Sequence, residues 1–390
     1  MKRIQLLILV ALLPCFSAFG QGWERVINYG SEEYGNDLII DDQGNIFILG
    51  TKDGGTSEHK TIVTKRDSLG NEIWTQIFAF ADFTYLYSFF QTQDEGLLLL
   101  GSTSQPGSYS QGLAIKLNSS GEIQWMDTLL VDGYEGLNFY SMIEETDSTI
   151  LLSGQVHKDT IIDFGGGSTW TDYIENAVLL RVNKSAEILW SRIYDLIPWN
   201  WSPEGNENAG QFAKANDGGF IVRMNDELSE DRILKLDANG DIQWQRVYDD
   251  PASVTSIYAI AALPDNSYLI TGTFKLLGNV PQYSYFEKLD QAGQTLWTQL
   301  KPKDFPTDFE QVAPDGDLLF LGAEPGLAYT HQIKLVKTDL NIQQVGEAQV
   351  YSHGNYSLAY ELERKGNNYF ILGYTQSTIS NYDWDMYLIK

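Results

Sequence analysis

The sequence predicts an all-β fold that repeats one unit of four strands. Three observations support this: a recurring basic residue, a tryptophan nine residues after most of these basic residues, and tight turns between short apolar runs. No segment has the long 3.6-residue periodicity of an amphipathic helix. The basic residues are Lys65, Lys116, Arg181, Lys235, Lys288, Lys337 and Lys390, and the tryptophans are Trp74, Trp125, Trp190, Trp244 and Trp297.

The first copy of the unit shows the four strand-like runs, at residues 37–41, 45–51, 61–67 and 72–78. The second run is apolar at consecutive positions, which is typical of a strand covered on both faces. A glycine follows this run in most copies, and it suits a close approach of two backbones. These glycines are Gly50, Gly101, Gly154, Gly272, Gly322 and Gly373, whereas the fourth copy has Met224.

The turn between the third and fourth runs has the pattern Asp-x-x-Gly or a close variant. An Asp or Asn side chain initiates such a turn, and glycine takes its left-handed position. Copies of the pattern begin at Asp67, Asn118, Asp237 and Asp290. The third copy has Ala186 in place of the glycine, and the sixth has Ile342.

The last copy lacks a fourth strand, and residues 22–28 supply a matching one at the other end of the chain. Hairpin-connected units of about 50 residues, buried on both faces, are typical of β-propeller blades. We therefore predict a seven-bladed β-propeller with four antiparallel strands in each blade. In this prediction the N-terminal strand closes the last blade, and residues 21–390 form a single domain.

Residues 1–20 have the pattern of an export signal: a basic start, an apolar run up to Pro14 and the small-x-small site Ala18-Phe19-Gly20. We expect cleavage after Gly20 and a protein that is secreted or lies in the periplasm or cell envelope. Lipidation at Cys15 is the alternative, and Pro14 argues against it. Cleavage removes the one cysteine of the chain, so we expect no disulfide.

The formal net charge of −26 argues against nucleic acid and anionic membranes as partners, because both require a basic surface. No stretch after the signal approaches the ~20 apolar residues of a membrane-spanning helix. We therefore expect no nucleic-acid binding, no membrane insertion and a monomer.

The repeats resemble those of secreted Bacteroidota propeller proteins. The resemblance lies in an Asp-Gly-Gly strand, as at residues 217–222, and in a Lys-Leu-Asp-x-x-Gly-x-x-x-Trp strand pair, as at residues 235–244. It covers essentially the whole exported chain and implies the fold rather than an activity. Many members carry a C-terminal sorting domain, which is not expected here because the sequence stops at Lys390. The strand pair also resembles, more distantly, the docking motif of quinoprotein dehydrogenases, whose cofactor and metal ligands this sequence does not show.

The predicted topology places all the length variation on one face of the disc, which we call the loop face. There the loops between second and third strands meet the crossings from blade to blade, while the opposite, turn face carries the short turns. The longest loops are residues 155–176 of the third blade and residues 195–210 after it, and we expect them to be neighbours. Binding residues concentrate on variable loops, so the loop face is the candidate site.

The tryptophans outside the repeat lie in these loops or at a loop edge, near carboxylates. Such side chains suit a glycan or peptide ligand, through stacking and hydrogen bonding. The alternative, which the sequence slightly favours, is that the long loops bury their own aromatic side chains. The candidate ligand-binding residues are Trp170, Trp199, Trp201, Trp384, Asp172 and Glu204.

The recurring basic and tryptophan residues have a structural interpretation, because a ligand site seldom needs a copy in every blade. We expect the basic residues to contact nearby carboxylates or carbonyls, and the tryptophans, with Trp23, to pack between blades.

The sequence indicates no catalytic residue, no metal ligand and no cofactor. The histidines, His59, His157, His331 and His353, lack metal-ligand spacing, and no nucleophile elbow is present. We therefore predict an exported, non-catalytic binding or interaction module for a glycan or peptide. Two alternatives stay open: a carbohydrate-active hydrolase or lyase on the same face, and a purely structural envelope protein.

Overall fold

The computed structural model describes residues 22–30, 32–53, 59–80, 83–105, 107–146, 148–163, 169–195, 208–225, 231–248, 253–276, 282–306, 308–312, 316–325, 331–353, 356–376 and 384–390. Every regular element in these ranges is a β-strand, as the sequence predicts. None of these residues belongs to a helix long and apolar enough to span a membrane.

Five four-stranded antiparallel sheets follow one another along the chain. The first contains β2 (Glu32–Ile40), β3 (Ile46–Asp53), β4 (His59–Arg66) and β5 (Glu72–Ala79). The second contains β6 (Phe83–Gln91), β7 (Leu97–Ser104), β8 (Gln111–Leu117) and β9 (Ile123–Leu129). The third contains β10 (Gly136–Thr146), β11 (Thr149–Asp163), β12 (Thr169–Asn183) and β13 (Ile188–Tyr194). The fourth contains β14 (Asn208–Lys214), β15 (Phe220–Asn225), β16 (Asp231–Leu236) and β17 (Ile242–Tyr248), and the fifth β18 (Ser253–Ala262), β19 (Tyr268–Leu276), β20 (Tyr283–Leu289) and β21 (Thr295–Pro302).

The remaining strands form one eight-stranded sheet. Its first half contains β22 (Asp308–Val312), β23 (Leu318–Pro325), β24 (His331–Thr338) and β25 (Gln349–Tyr351). Its second half contains β26 (Tyr356–Lys365), β27 (Asn368–Gln376), β28 (Trp384–Ile389) and β1 (Glu24–Ile27). A single parallel bridge, His331 to Tyr356, joins the halves, and every other pairing is antiparallel.

The first strands of the sheets contact one another in cyclic order. Contacts run from β2 to β6, β10, β14, β18, β22 and β26, and β26 packs against β2 again. The first strand is an edge strand in each four-stranded sheet, and β22 is an edge strand of the large sheet. Strand β26 is flanked by β27 on one side and by the single bridge to β24 on the other. Apolar clusters fill the interfaces between neighbouring sheets, as where Phe47 of β3 meets Leu99 of β7 and both are fully buried.

The two ends of the chain pair in the predicted way. Strand β1 lies antiparallel to β28, with Glu24 opposite Ile389 and Ile27 opposite Met386. Next to this pair, the Trp23 and Lys390 backbones exchange hydrogen bonds of 3.2 and 2.9 Å. Ile27 is only 3% exposed, so this short strand also contributes a side chain to the core.

The recurring tryptophans pack between neighbouring sheets, as the sequence predicts. The indole nitrogen of Trp23 donates a hydrogen bond of 3.3 Å to the Ser68 carbonyl in the turn of the first sheet. The indole of Trp244 binds the Gln291 carbonyl of the next sheet in the same way, at 2.8 Å. The turn glycine makes room for the ring, since a Cβ on Gly70 would lie 2.8 Å from Trp23.

A β-bulge interrupts the first strand of each sheet and of each half of the large sheet. The extra residues are Asn36, Tyr87, Tyr140, Tyr258, Glu310 and Tyr360, and the fourth sheet has an irregularity at Gly210 and Gln211. In most sheets the glycine after the second apolar run lies opposite the residue before the bulge. A Cβ on Gly154 would approach the Asn138 carbonyl oxygen to 1.9 Å, so the close backbone approach predicted for these glycines is present.

The fourth sheet is the exception that lacks the glycine after the second apolar run. It has Met224 at the glycine position, and there the first strand carries the glycine instead, at Gly210 beside the register shift. A glycine therefore lies beside the register shift both in the usual sheets, where it is on the second strand, and in the fourth sheet, where it is on the first strand.

Gly272→Ala should destabilise the protein by at least about 3 kcal/mol, because its Cβ would lie 1.9 Å from the Ser256 carbonyl oxygen. Gly210→Ala is the matched control, since the nearest atom to its Cβ would be 3.7 Å away; we expect a loss below about 1 kcal/mol. Urea unfolding measures both free energies. Equal losses from the two substitutions would contradict the role assigned to the bulge glycine.

Two carboxyl groups with raised pKa values lie where β26 meets β2. Burial raises the pKa of Asp37 to about 6, although hydrogen bonds from Ser88 and Phe89 lower it. Burial, and then the charge of Asp37, raise the pKa of Glu363 to about 7. Both groups bind protons more tightly in the folded state than in the unfolded chain, so folding is favoured at low pH.

The contribution of these two groups to the free energy of unfolding should therefore be complete below about pH 4 and lost as the pH rises through 6 to 7. Glu363→Gln removes one titrating group, and its melting temperature should exceed that of the wild type more at pH 8 than at pH 5. Glu122→Gln, an exposed substitution on the second sheet, is the control. An equal difference at both pH values for Glu363→Gln would contradict the assignment.

Candidate functional site

The candidate residues predicted from the sequence fall into three groups. Trp199, Trp201 and Glu204 lie outside the described residues. Trp170 and Asp172 lie on β12, opposite Ile162 and Thr160 of β11. Trp384 begins β28 in the large sheet. The described members of the set therefore belong to two different sheets, and only Trp170 and Asp172 share a strand.

The segment predicted as a loop at residues 155–176 is mostly strand, and this part of the prediction is wrong. Pairing between β11 and β12 continues to Asp163 and Thr169. The segment is rich in β-branched and aromatic residues, such as Val156, Ile161 and Tyr173, which favour strands. β11 has 15 residues, against 6 to 9 in the second strands of the other sheets. At ~3.3 Å per residue, the excess carries the hairpin ~20 Å farther than its counterparts.

A buried polar network lies at the base of this hairpin, where β10, β11 and β12 meet. His157 Nδ1 and Glu175 Oε1 are 2.7 Å apart, and the amide of Gln155 donates to the other oxygen of Glu175 at 2.6 Å. The side-chain amide of Asn138 donates to His157 Nε2 at 3.0 Å, and the Tyr140 hydroxyl donates to Gln155 at 2.8 Å.

This network fixes the orientation of its side chains and does not prepare any of them to act as a general base. Because Asn138 donates to Nε2, the proton of a neutral His157 lies on Nδ1, where it is shared with Glu175. Both ring nitrogens are therefore engaged, and His157 is only 4% exposed. A general base needs a free nitrogen within reach of a substrate, so the geometry favours a structural role in stiffening the hairpin.

The loop of the second sheet is attached to this hairpin. The Tyr109 hydroxyl donates to the Asp159 carboxylate, and its ring stacks on His157 with centroids 6.0 Å apart and planes 7° apart. Burial, and then the hydrogen bond to Asp159, raise the pKa of Tyr109 to about 12. The phenol is thus a firmly protonated donor that ties two sheets together on the loop face.

A cavity of about 530 Å³ opens beside Tyr109, within the size of small-ligand pockets, which is about 300–1,000 Å³. Hydroxyl and amide side chains line it together with apolar ones. The lining includes Thr84, Thr103, Ser108, Gln111 and Thr128, together with Phe80 and Met126. Donors and acceptors beside apolar surface match a ligand that presents both hydroxyl groups and hydrocarbon faces.

Trp384 lies in an aromatic cluster and not alone in a loop. Its ring meets Tyr356 and Tyr374 edge to face, with centroids 5.2 and 4.9 Å apart. Tyr374 also contacts Tyr34 of the first sheet and Tyr360 of β26. Trp384 is partly exposed, and the packing of its own ring is the structural alternative that the sequence analysis left open.

Five of the seven recurring basic residues bind carboxylates, as their structural interpretation predicts, whereas Lys65 and Lys390 lie over the rings of Phe47 and Phe370. Lys116 contacts Asp94 at 3.0 Å, Lys235 contacts Asp217 at 2.8 Å and Lys288 contacts Asp265 at 2.7 Å. In the third sheet, Arg181 contacts Glu145 at 2.5 Å. These pairs fasten the turn between the first two strands to the third strand, and they do not form a ring of free charge.

Among the described ranges, no group of three or more His, Cys, Asp or Glu side chains is placed to hold a metal ion.

The sequence analysis missed the tyrosines of the bulges. Tyr87, Tyr140, Tyr258 and Tyr360 occupy equivalent positions in the first strands and are 39–51% exposed. The signal was present, because each tyrosine stands thirteen or fourteen residues before the glycine that follows the second apolar run.

No family model matches the chain, and no curated protein sequence matches it. The solved structures similar to it include propeller-type folds. A protein of unknown function from Dyadobacter fermentans is 11% identical, with a TM-score of 0.49 over 94% of this chain and 97% of that one. A protein of unknown function from Bacteroides caccae is 15% identical, with a TM-score of 0.38 over 72% and 84%. The acylaminoacyl peptidase of Pyrococcus horikoshii is 11% identical, with a TM-score of 0.48 over 91% of this chain and 50% of that one.

Likeness at this level carries no argument about activity, and the chain spans only half the length of the peptidase.

Proposed function

We propose that this chain is a closed, seven-bladed β-propeller of the secreted Bacteroidota repeat type that acts as an exported, monomeric and non-catalytic binding module. Each half of the eight-stranded sheet has four strands and its own bulged first strand, which supports counting two blades there. The cyclic contacts from β2 round to β26 and back support the closure. The sequence pattern of residues 1–20, which is typical of an export signal, supports a location outside the cytoplasm.

The observation that carries the binding function is the cavity beside Tyr109, whose ring stacks on His157 of the third sheet. Binding sites are usually concave, with a few placed polar groups on a largely apolar wall. The hydroxyl and amide groups of Thr103, Ser108 and Gln111 and the apolar surface of Phe80 fit that description. We propose a glycan as the ligand, with Trp170, Asp172, Trp199, Trp201, Glu204 and Trp384 as further contacts on the same face.

An array of glycans and peptides, probed with fluorescently labelled protein, tests the proposal. Tyr109→Ala should lower the signal about tenfold, as expected for loss of an aromatic anchor, and the double variant Trp199→Ala, Trp201→Ala should lower it as well. Leu69→Ala, an exposed substitution on the turn face, should leave it unchanged.

Each outcome of the array has a defined meaning. Equal signals from the wild type and Tyr109→Ala would show that the cavity is not part of the binding site. Selective binding of peptides would show that the ligand is a peptide and not a glycan. Absence of any ligand would favour a structural envelope protein. Cleavage of an arrayed glycan would contradict the non-catalytic proposal.

A further inference from the structure

The bulges of the first strands place one extra residue at an equivalent register position in successive sheets. In order around the cycle these residues are Asn36, Tyr87, Tyr140, Gln211, Tyr258, Glu310 and Tyr360. The first strands contact one another, so all of these positions lie on the innermost strands. The tyrosines among them are called the bulge tyrosines below.

Hydrogen bonds hold the hydroxyl groups of three bulge tyrosines against the neighbouring second strand, while part of each side chain stays exposed to solvent. The Tyr87 hydroxyl lies 3.1 Å from Ser102 Oγ, and the Tyr258 hydroxyl lies 3.0 Å from Thr273 Oγ1. The Tyr140 hydroxyl donates to Gln155 at 2.8 Å, and each partner directly follows the bulge glycine of its sheet. These hydrogen bonds fix the ring orientation before any ligand arrives, which lowers the entropy lost on binding.

Ring packing accounts for Tyr360, which contacts Tyr374 with centroids 5.1 Å apart, but exposure leaves the aromatic character of the other three bulge tyrosines without such an explanation. Tyr140, for example, is 48% exposed, so its ring is not core. The first and fourth sheets have Asn36 and Gln211 at the same bulge position, so the bulge itself does not require an aromatic side chain. A half-exposed, oriented aromatic surface that the fold does not need is the usual form of a ligand platform.

The neighbouring chemistry identifies the class of ligand. Gln211 adds an exposed amide to the phenols, and a protein with a net charge of −26 disfavours a polyanion. A peptide adding itself as a β-strand needs an uninterrupted edge, whereas the bulges interrupt the edge of each first strand. A neutral saccharide needs no such edge, because its hydrocarbon faces stack on rings and its hydroxyl groups bind amides and phenols.

We propose that the bulge tyrosines Tyr87, Tyr140, Tyr258 and Tyr360 form a binding site for a neutral saccharide on the innermost strands. The site is separate from the cavity beside Tyr109 and rests on the proposed binding function. Tyr87 and Tyr140 come from adjacent sheets, so they form the part of the site where a sugar contacts two rings.

Isothermal titration calorimetry with cellohexaose, laminarihexaose, mannohexaose and xylohexaose tests the site. We expect at least one of these sugars to bind the wild type, and Tyr140→Ala to lower its affinity about tenfold or more. Tyr140→Phe keeps the ring and loses the hydroxyl, so it should stay within about threefold of the wild type. Leu296→Ala, at an exposed position on outer strand β21, should bind like the wild type.

Thermal melting of each variant shows whether it folds, and Tyr258→Ala repeats the test at a second ring if Tyr140→Ala does not. The proposal is overturned if none of the four sugars binds, if both alanine variants bind as well as the wild type, or if Tyr140→Phe loses as much affinity as Tyr140→Ala. Loss of sugar binding in Tyr109→Ala alone would overturn the bulge-tyrosine site and leave the proposed binding function in place.

Discussion

The pairing of β1 with β28 is the interaction on which the rest of the structure depends. It covers an edge of the last sheet that would otherwise present unpaired backbone groups to solvent. It also brings Trp23 against the turn of the first sheet, where its indole binds the Ser68 carbonyl. One short strand therefore belongs to the last sheet through its backbone and contacts the first sheet through a side chain, beside the direct packing of β26 against β2.

The bulge connects this architecture to the proposed binding surfaces. A glycine on the second strand lets the first strand approach closely and carry an extra residue, as Gly101 does beside Leu86. The side chain of the extra residue can differ from sheet to sheet, because this residue is unpaired in the hydrogen-bond ladder. The same local geometry therefore gives an amide at Asn36 and a phenol at Tyr87, and variation is added to the fold without disturbing its core.

Much of the fold follows from the sequence because its local signals agree with one another. The apolar run of residues 46–49, the turn at Asp67 and the spacing of Lys65 from Trp74 each indicate the same unit, and the structure places Lys65 directly opposite Trp74. The hairpin of β11 and β12 departs from the loop expected at residues 155–176, because its β-branched residues continue the ladder beyond the length of the repeat's other strands. The cavity could not be predicted, since its lining combines Phe80, which follows the first sheet, with residues from several strands of the second sheet, such as Thr84 and Thr103.

Hydrogen–deuterium exchange of the peptide covering residues 22–30 tests the proposed closure of the propeller most directly. If β1 is an integral strand, its amides should be protected to a degree similar to those of residues 384–390, because both belong to one ladder. Exchange of residues 24–27 within seconds, beside slow exchange in β28, would show that the N-terminal strand is not docked and would contradict the closed arrangement.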